Sequence, residues 1–230
     1  MNVSIIIPTY NRFDLLKTCL DSVEKYTNLK DKEIVIVSNG CKDKTVRYIK
    51  LKQDTGMPYK LLEFPRPIGF PKAINVGALA SEGEYLVFLN NDAVILSSTI
   101  DIWIDCLMAP FLKDPMVGVT GPVKVENVET GMCFILFFCA MVRRSLYEEL
   151  SGVDEIFSPG FGEDVDFCIR AQMKGYKIVQ IPYETGTLPN GFDVVNYPIN
   201  HDSTQTFRHL PDHNKNYARN SQILKQRYGK

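Results

Sequence analysis

The sequence predicts an α/β protein built on a doubly wound, mostly parallel central sheet, Rossmann-like in plan and extended by a mixed second half. Two observations predict it. Short β-branched runs alternate with amphipathic segments through the first hundred residues, the rhythm of crossover connections in a sheet covered on both faces. Three of those runs also end in a polar cluster: Thr9-Tyr10-Asn11, Ser38-Asn39-Gly40 and Asn90-Asn91-Asp92. Open α/β sheets bind ligands beyond the carboxyl ends of their strands, so these clusters are where a site is expected.

The elements follow in order. Val3–Ile7 is a strand stopping at Pro8, and Leu15, Leu16, Cys19, Leu20 and Val23 recur at helical spacing. Glu33–Ser38 is a second strand closed by the turn pair Asn39-Gly40, and Asp43 is placed to cap a helix carrying Val46, Ile49 and Leu51. Tyr59–Phe64 gives a third strand, Pro71–Ala80 a helix, and Glu84–Leu89 a fourth strand. A longer helix is expected over Thr99–Lys113, with Ile100, Trp103, Ile104 and Leu107 on one face. Val117–Val125 and Met132–Val142 then read as strands with no full-length helix between them, which is why the second half is expected to be mixed. A helix over Asp164–Lys174, a strand over Lys177–Ile181, loops closing over a site from Tyr183, and a last helix near Tyr217–Tyr228 complete the chain. No repeat or low-complexity linker interrupts the 230 residues, so one domain is expected, with residues 1–97 and 98–230 as its two halves.

Composition narrows the function classes. A net charge of -1 argues against a nucleic-acid binder, which needs a basic surface. The six cysteines form no C-x-x-C pair, and most lie in apolar stretches, so neither a zinc ribbon nor a disulfide framework is expected. That usage fits a reducing cytosol. The N-terminus lacks the basic flank of a signal peptide. The uncharged run Met132–Val142 is far short of the ~20 residues that span a bilayer, and reads as a core strand rather than a membrane anchor.

Four stretches carry residues suited to chemistry. Asp92, directly after a buried strand, would be exposed at the sheet edge, where a carboxylate can hold a hard cation against substrate phosphates; the bland reading of Asn90-Asn91-Asp92 is a turn. Glu163, Asp164 and Asp166 place three carboxylates within four residues. The helix dipole alone would favour them there, but their mutual repulsion asks for a cation or a proton-transfer role. His201, one of three histidines with His209 and His213, could add an imidazole ligand, which Mn²⁺ accepts more readily than Mg²⁺. Gly69 allows close backbone approach before a helix, with Lys72 and Asn75 following, although the stretch matches neither a dinucleotide nor a P-loop fingerprint.

Ser4–Arg12, Glu33–Gly40, Gly69–Gly77, Tyr85–Asp92, Gly152–Glu155 and Phe161–Gly175, in this order, resemble glycosyltransferase family 2 and its GT-A fold, particularly the rhamnosyltransferase-like members. The resemblance covers residues 2 to about 182, with a looser continuation to about 207. It implies a transferase that moves a hexose from a nucleotide diphosphate sugar, UDP- or TDP-linked, to a glycan or lipid-linked acceptor in polysaccharide biosynthesis, with inversion and with Mn²⁺ or Mg²⁺. Its place would be the cytoplasm, with peripheral visits to a membrane where the acceptor is lipid-linked.

Carried over residue by residue, the resemblance puts Pro8, Thr9, Tyr10, Asn11, Arg12, Ser38, Asn39, Gly69, Lys72, Asn75, Asn90 and Asn91 around the donor. It makes Asp92, last of the D-x-D motif, and His201 the metal ligands. Asp164 becomes the general base, with Glu163, Asp166 and Arg170 about the acceptor. The chain departs from the family at two positions. Ser38 replaces a customary Asp that reads the donor base, and Asn90 replaces the first Asp of D-x-D.

Two other functions compete. A nucleotidyltransferase would show a glycine-rich N-terminal loop, and residues 8–14 contain no glycine. A catalytically silent sugar-nucleotide or glycan-binding module would have no need of Asp92, Asp164 and Asp166 together.

Overall fold

The computed structural model describes residues 3–97, 99–127, 131–181, 186–187, 193–194, 197–201 and 212–229. Its first half contains β1 (Val3–Thr9), α1 (Phe13–Tyr26), β2 (Lys32–Asn39), α2 (Thr45–Asp54), β3 (Tyr59–Phe64), α3 (Phe70–Ala80), β4 (Tyr85–Leu89) and β5 (Ala93–Ile95). The second half contains α4 (Ile102–Lys113), β6 (Val117–Gly121), β7 (Lys124–Glu126), β8 (Cys133–Ile135), β9 (Cys139–Arg143), α5 (Arg144–Glu149) and α6 (Glu163–Met173). β10 (Lys177–Gln180), the short strands β11 (Gly186–Thr187), β12 (Asp193–Val194) and β13 (Ile199–His201), and α7 (His213–Tyr228) follow.

The central sheet has the order β10-β6-β9-β4-β1-β2-β3. β1 pairs in parallel with both β2 and β4, β2 with β3, and β10 with β6, while β9 runs against β4 and β6. The mixed character expected of the second half thus comes from the one reversed strand, β9. Strand order reverses direction of growth between β1 and β4, and their carboxyl ends open the crevice where such sheets bind ligands.

Alternation along each strand feeds two cores. Ile5, Ile7, Ile34, Ile36, Val87 and Leu89 face α1, α2 and α4, packing on Leu16, Leu20, Ile49 and Trp103. Ile6, Val35, Leu86 and Phe88 face the other side, on Ile74 and Ala78 of α3 and Phe167 and Cys168 of α6. Burying each such side chain contributes roughly 1.5–3 kcal/mol, and burial on both faces is what forces continuous apolar runs. α3 lies so near the sheet that a Cβ on Gly77 would come within 2.5 Å of Ile6 Cγ2. Trp103 is fully buried, and its indole N–H donates to Thr27 Oγ1 at 3.0 Å. All six cysteines are free thiols, and no helix among the described residues is long and apolar enough to cross a membrane.

Several expectations change in detail. β1 continues through Pro8 to Thr9, because parallel pairing carries Pro8 and Thr9 alongside Val37 and Ser38. Asp43 accepts from Thr45 N at 3.0 Å and also from Phe13 N at 2.8 Å, so one carboxylate serves the starts of both α2 and α1. Ile100 is outside α4 and 53% exposed, so it does not share the helix's buried face. The run Met132–Val142 is two strands, not one. Leu136–Phe138 breaks it, leaving β8 to pair with β7 and β9 to enter the central sheet. Most of the loop region expected to close over the site, His209 included, lies outside the described residues.

Candidate active site

A cleft of about 570 Å³ opens at the carboxyl ends of β1, β2 and β4. Its floor is Pro8, Thr9, Tyr10, Asn39 and Asn90–Asp92, and Gly69 borders it at the start of α3. Its other wall, from the second half, is made by Leu136–Phe138, Pro159–Phe161, Glu163 and Asp164, with His201 completing the enclosure.

The floor is tied together by side chains from separate strands. Asn91 Nδ2 donates to Thr9 Oγ1 at 3.0 Å, joining the ends of β4 and β1. Asn39 Oδ1 accepts from Ile68 N at 2.6 Å, which holds the approach to Gly69 against β2. Gly69 has φ +86, and a Cβ there would meet Ser158 Oγ at 2.5 Å, so only glycine fits this close approach between the two halves.

His201 reaches the cleft by tertiary pairing. β13 runs antiparallel to β5, setting His201 opposite Ala93, directly after Asp92. Its ring stacks on Phe138 with centroids 4.2 Å apart and planes within 6°. This brings His201 Nε2 to 3.1 Å from Asp92 Oδ1 and 3.4 Å from Asn90 Nδ2. The Asp92 contact is close without the alignment of a hydrogen bond, and Asp92 Oδ1 and Asn90 Oδ1 are both buried with no hydrogen-bond partner. Glu163 Oε2 is a third such atom on the same cleft. Buried polar atoms are almost always satisfied, so three orphans around one cleft mark a place for a bound group.

The opposite wall carries the carboxyl pair. Gly162, at φ +99, starts α6 and delivers Glu163 and Asp164 to the cleft. Burial pushes the Asp164 carboxyl up to about 6, against the lowering effect of backbone N–H groups including those of Val165 and Phe137. Glu163 is raised well above the usual carboxylate range, first by burial and then by the neighbouring Asp164 charge.

Other expected site residues stand elsewhere. Asn11 accepts from Lys42 N at 2.9 Å and its own N–H meets Cys41 Sγ, so it laces the β1 and β2 loops together outside the cleft. Arg12, partly exposed, turns to Asp14 at 3.2 Å. Ser38 is 1% exposed at the end of β2 and is not part of the cleft lining. Lys72 faces Glu155 at 3.7 Å, and Asn75 bonds Val153 N and O, Glu155 and Tyr147, fixing α3 to the 153–155 turn.

Asp166 and Arg170 are not part of the cleft lining. Asp166, fully buried, takes Arg170 Nε at 2.7 Å, Arg227 Nη1 at 2.9 Å and Tyr228 OH at 2.6 Å, and Arg170 also holds the carbonyls of Leu150 and Gly152. Conversely, the aromatic wall Phe137, Phe138 and Phe161 went unread as site. The first two were hidden in an apolar run that looks like plain core strand.

The family model for glycosyl transferase family 2 matches residues 4–131, more than half the chain and the part that builds the cleft floor. The chain belongs to glycosyltransferase family 2. Among its relatives are the O-antigen biosynthesis protein RfbC of Myxococcus xanthus, 27% identical over 77% of this chain and 16% of that protein, and the O-antigen chain rhamnosyltransferase RfbN of Salmonella typhimurium, 24% identical over 77% and 63% respectively. The chain therefore spans a small part of the first relative and slightly less than two thirds of the second. Two solved structures share its fold: the mannosyltransferase PcManGT from Pyrobaculum calidifontis in complex with GDP-Man and Mn²⁺ (TM-score 0.65, 23% identity, 79% of this chain and 55% of that one) and GalNAc-T7 with UDP, GalNAc and Mn²⁺ (TM-score 0.70, 16% identity, 99% and 49%). The fold of this family 2 member is thus GT-A, as the sequence motifs imply.

Proposed function

We propose that this family 2 glycosyltransferase moves a hexose from a nucleoside diphosphate donor to a hydroxyl of a glycan or lipid-linked acceptor, with inversion, in polysaccharide assembly. The observation that carries it is one cleft with two chemically distinct walls. One wall offers oxygen and imidazole donors at Asn90, Asp92 and His201; the other offers the Asp164 carboxyl, with a pKa raised to about 6.

The first wall fits Mn²⁺ or Mg²⁺. Asp92 Oδ1 and His201 Nε2 are 3.1 Å apart, close to the spacing of about 3 Å between adjacent ligands of an octahedral ion with bonds near 2.1 Å. Asn90 Oδ1, unpartnered, is a further hard oxygen, so the Asn in place of the first D-x-D acid keeps a ligand atom. Among the described residues no three His, Cys, Asp or Glu cluster; waters and donor phosphates would complete the shell, as is usual for these ions. When bound, the ion neutralises charge on the departing diphosphate.

The chain's own residues supply the rest. Pro8, Thr9, Tyr10 and Asn39 receive the nucleotide, and Gly69 lets the donor lie against backbone. Asp164 takes the proton of the acceptor hydroxyl as its oxygen attacks the anomeric carbon, while the bond from that carbon to the diphosphate oxygen breaks on the opposite face. A base with a pKa near 6 is ionised at neutral pH yet basic enough to accept the proton. The donor is taken to be UDP- or TDP-linked; with Ser38 buried off the cleft, discrimination of the base falls to neighbouring groups such as Asn39 and Tyr10. The N-terminal half, 1–97, holds the donor and residues 98–230 the acceptor, at the cytoplasmic face of a membrane if that acceptor is lipid-linked.

Calorimetry with UDP, TDP, GDP, CDP and ADP, with and without Mn²⁺, tests the reading. Selective binding that requires the metal supports it and names the base. Absence of binding to all five sinks it.

A further inference from the structure

We infer that Phe161 and Tyr217 form a platform on which a pyranose ring of the acceptor lies, beside the Asp164 carboxyl. The inference rests on the transfer reading above, which makes Asp164 the base.

Phe161 occupies a backbone conformation that an aromatic residue rarely accepts. Its φ is +79, between Gly160 and Gly162. A glycine would adopt this φ freely, whereas a bulky side chain is strained there, and such strain concentrates at functional sites. The sequence nevertheless keeps a Phe, and the fold holds it in place. Asn220, fully buried on α7, puts Nδ2 at 2.8, 3.0 and 2.8 Å from the carbonyls of Phe157, Gly160 and Phe161. α7 thereby latches the turn that presents Phe161.

The ring does not fill a core. It lines the cleft and stacks on Tyr217, centroids 4.0 Å apart and planes 36° apart, and Tyr217 is 47% exposed. Tyr217 stands one turn before Asn220 on α7, so the helix that latches the turn also carries the second ring. A cleft-lining aromatic ring extended by an exposed second ring, on the wall that carries two carboxyl groups, matches the chemistry of a sugar. The C–H face of a pyranose packs on an aromatic ring, and its peripheral hydroxyls donate to carboxyl oxygens. Glu163 Oε2, on the same wall, has no hydrogen-bond partner of its own. A hydrocarbon chain would use the rings but leave that carboxyl unsatisfied, which is why a sugar and not a lipid tail is assigned to the platform.

Saturation-transfer NMR tests this with methyl pyranosides of glucose, galactose, mannose, rhamnose and N-acetylglucosamine, in the presence of Mn²⁺ and whichever nucleoside diphosphate binds. Ring C–H protons of at least one pyranoside are expected to saturate on the wild-type protein. The signal should fall roughly fivefold in Phe161→Gly, which keeps the φ the turn requires, and in Tyr217→Ala. Unchanged metal-dependent nucleotide binding in both variants certifies that they are folded. Undiminished signal in both, or no signal with the wild type, overturns the platform. So does saturation of the alkyl chain of octyl β-glucopyranoside without its ring protons, which would assign the rings to a lipid. If the wild type binds no nucleoside diphosphate, the transferase reading fails and the platform with it; if it binds one and only the sugar signal is missing, the platform alone fails.

Discussion

His201 Nε2 lies 3.1 Å from Asp92 Oδ1 because β13 pairs with β5 and Phe138 stacks flat on the imidazole. Asp92 Oδ1, buried without a hydrogen bond and held this close to a ring nitrogen, is best satisfied by a cation shared with that nitrogen. Asp92→Ala and His201→Ala should therefore each weaken Mn²⁺-dependent nucleotide binding at least about tenfold, since even changes to groups supporting metal ligands cost about that much. The weak binding measured in chelator should be unchanged. Calorimetry with and without Mn²⁺ reads both, and equal losses in the two conditions would show that the pair acts on the fold instead of the metal.

Burial raises the Asp164 carboxyl from its usual 3.8 to about 6. A base must be ionised, so kcat/KM should rise with pH through an acidic limb centred near 6 and level off above it. Asp164→Asn should keep nucleotide affinity and lose about 10²–10⁴ in transfer. The sign for stability is opposite. A raised carboxyl favours the protonated folded state, so its contribution is fully present below about 4 and is lost as pH rises through 6. The Asn variant should accordingly gain stability relative to wild type above pH 6 and match it near pH 4, as denaturant titrations at the two pH values would show. A pH-independent difference would mean that Asp164 does not titrate there.

Sequence pattern revealed the floor of the cleft far better than its wall. β1, β2 and β4 are buried on both faces, so their apolar runs and the polar residues that end them stand out locally, and Thr9, Asn91 and Asp92 could be placed at the sheet edge without a structure. Phe137 and Phe138 could not. They interrupt a run whose composition is all core, and only the three-dimensional parting of β8 from β9 turns them into lining. Asp166 misled for the converse reason. At the start of α6 it reads as one of three clustered acids about an acceptor, but the partners that hold it, Arg227 and Tyr228, come from a helix far along the chain. Gly69 was legible as a close approach, while Lys72 and Asn75 near it turned to Glu155 and Val153, contacts that no local spacing encodes.

Asp166 should behave as a structural charge. It is fully buried and takes Arg170, Arg227 and Tyr228 together. Asp166→Ala takes the carboxylate from Arg170 and leaves Arg227 only Asp154, and should cost about 3 kcal/mol, seen as a lower denaturation midpoint with an unchanged m-value. Metal-dependent nucleotide affinity of the remaining folded protein should match wild type. If stability held and acceptor use alone fell, Asp166 would belong to the acceptor site after all.

Asn220 joins the last helix to the chemistry. Its amide lies within hydrogen-bond reach of the Phe157, Gly160 and Phe161 carbonyls, and the turn it holds leads straight into Glu163 and Asp164. Asn220→Ala removes the two N–H donors shared among these carbonyls and should cost about 1–3 kcal/mol at roughly 1 kcal/mol or more for each donor lost. Position should suffer as well as stability. The donor floor is built from β1, β2 and β4, whereas Asn220 bonds the 157–161 turn on the other wall, so nucleotide affinity should survive, while kcat falls as Asp164 loses its fixed setting. Measuring kcat and nucleotide affinity well below the unfolding temperature separates the two effects. Loss of both in parallel would reduce Asn220 to a general prop of the fold, whereas loss of kcat alone would make α7 the element that sets the base.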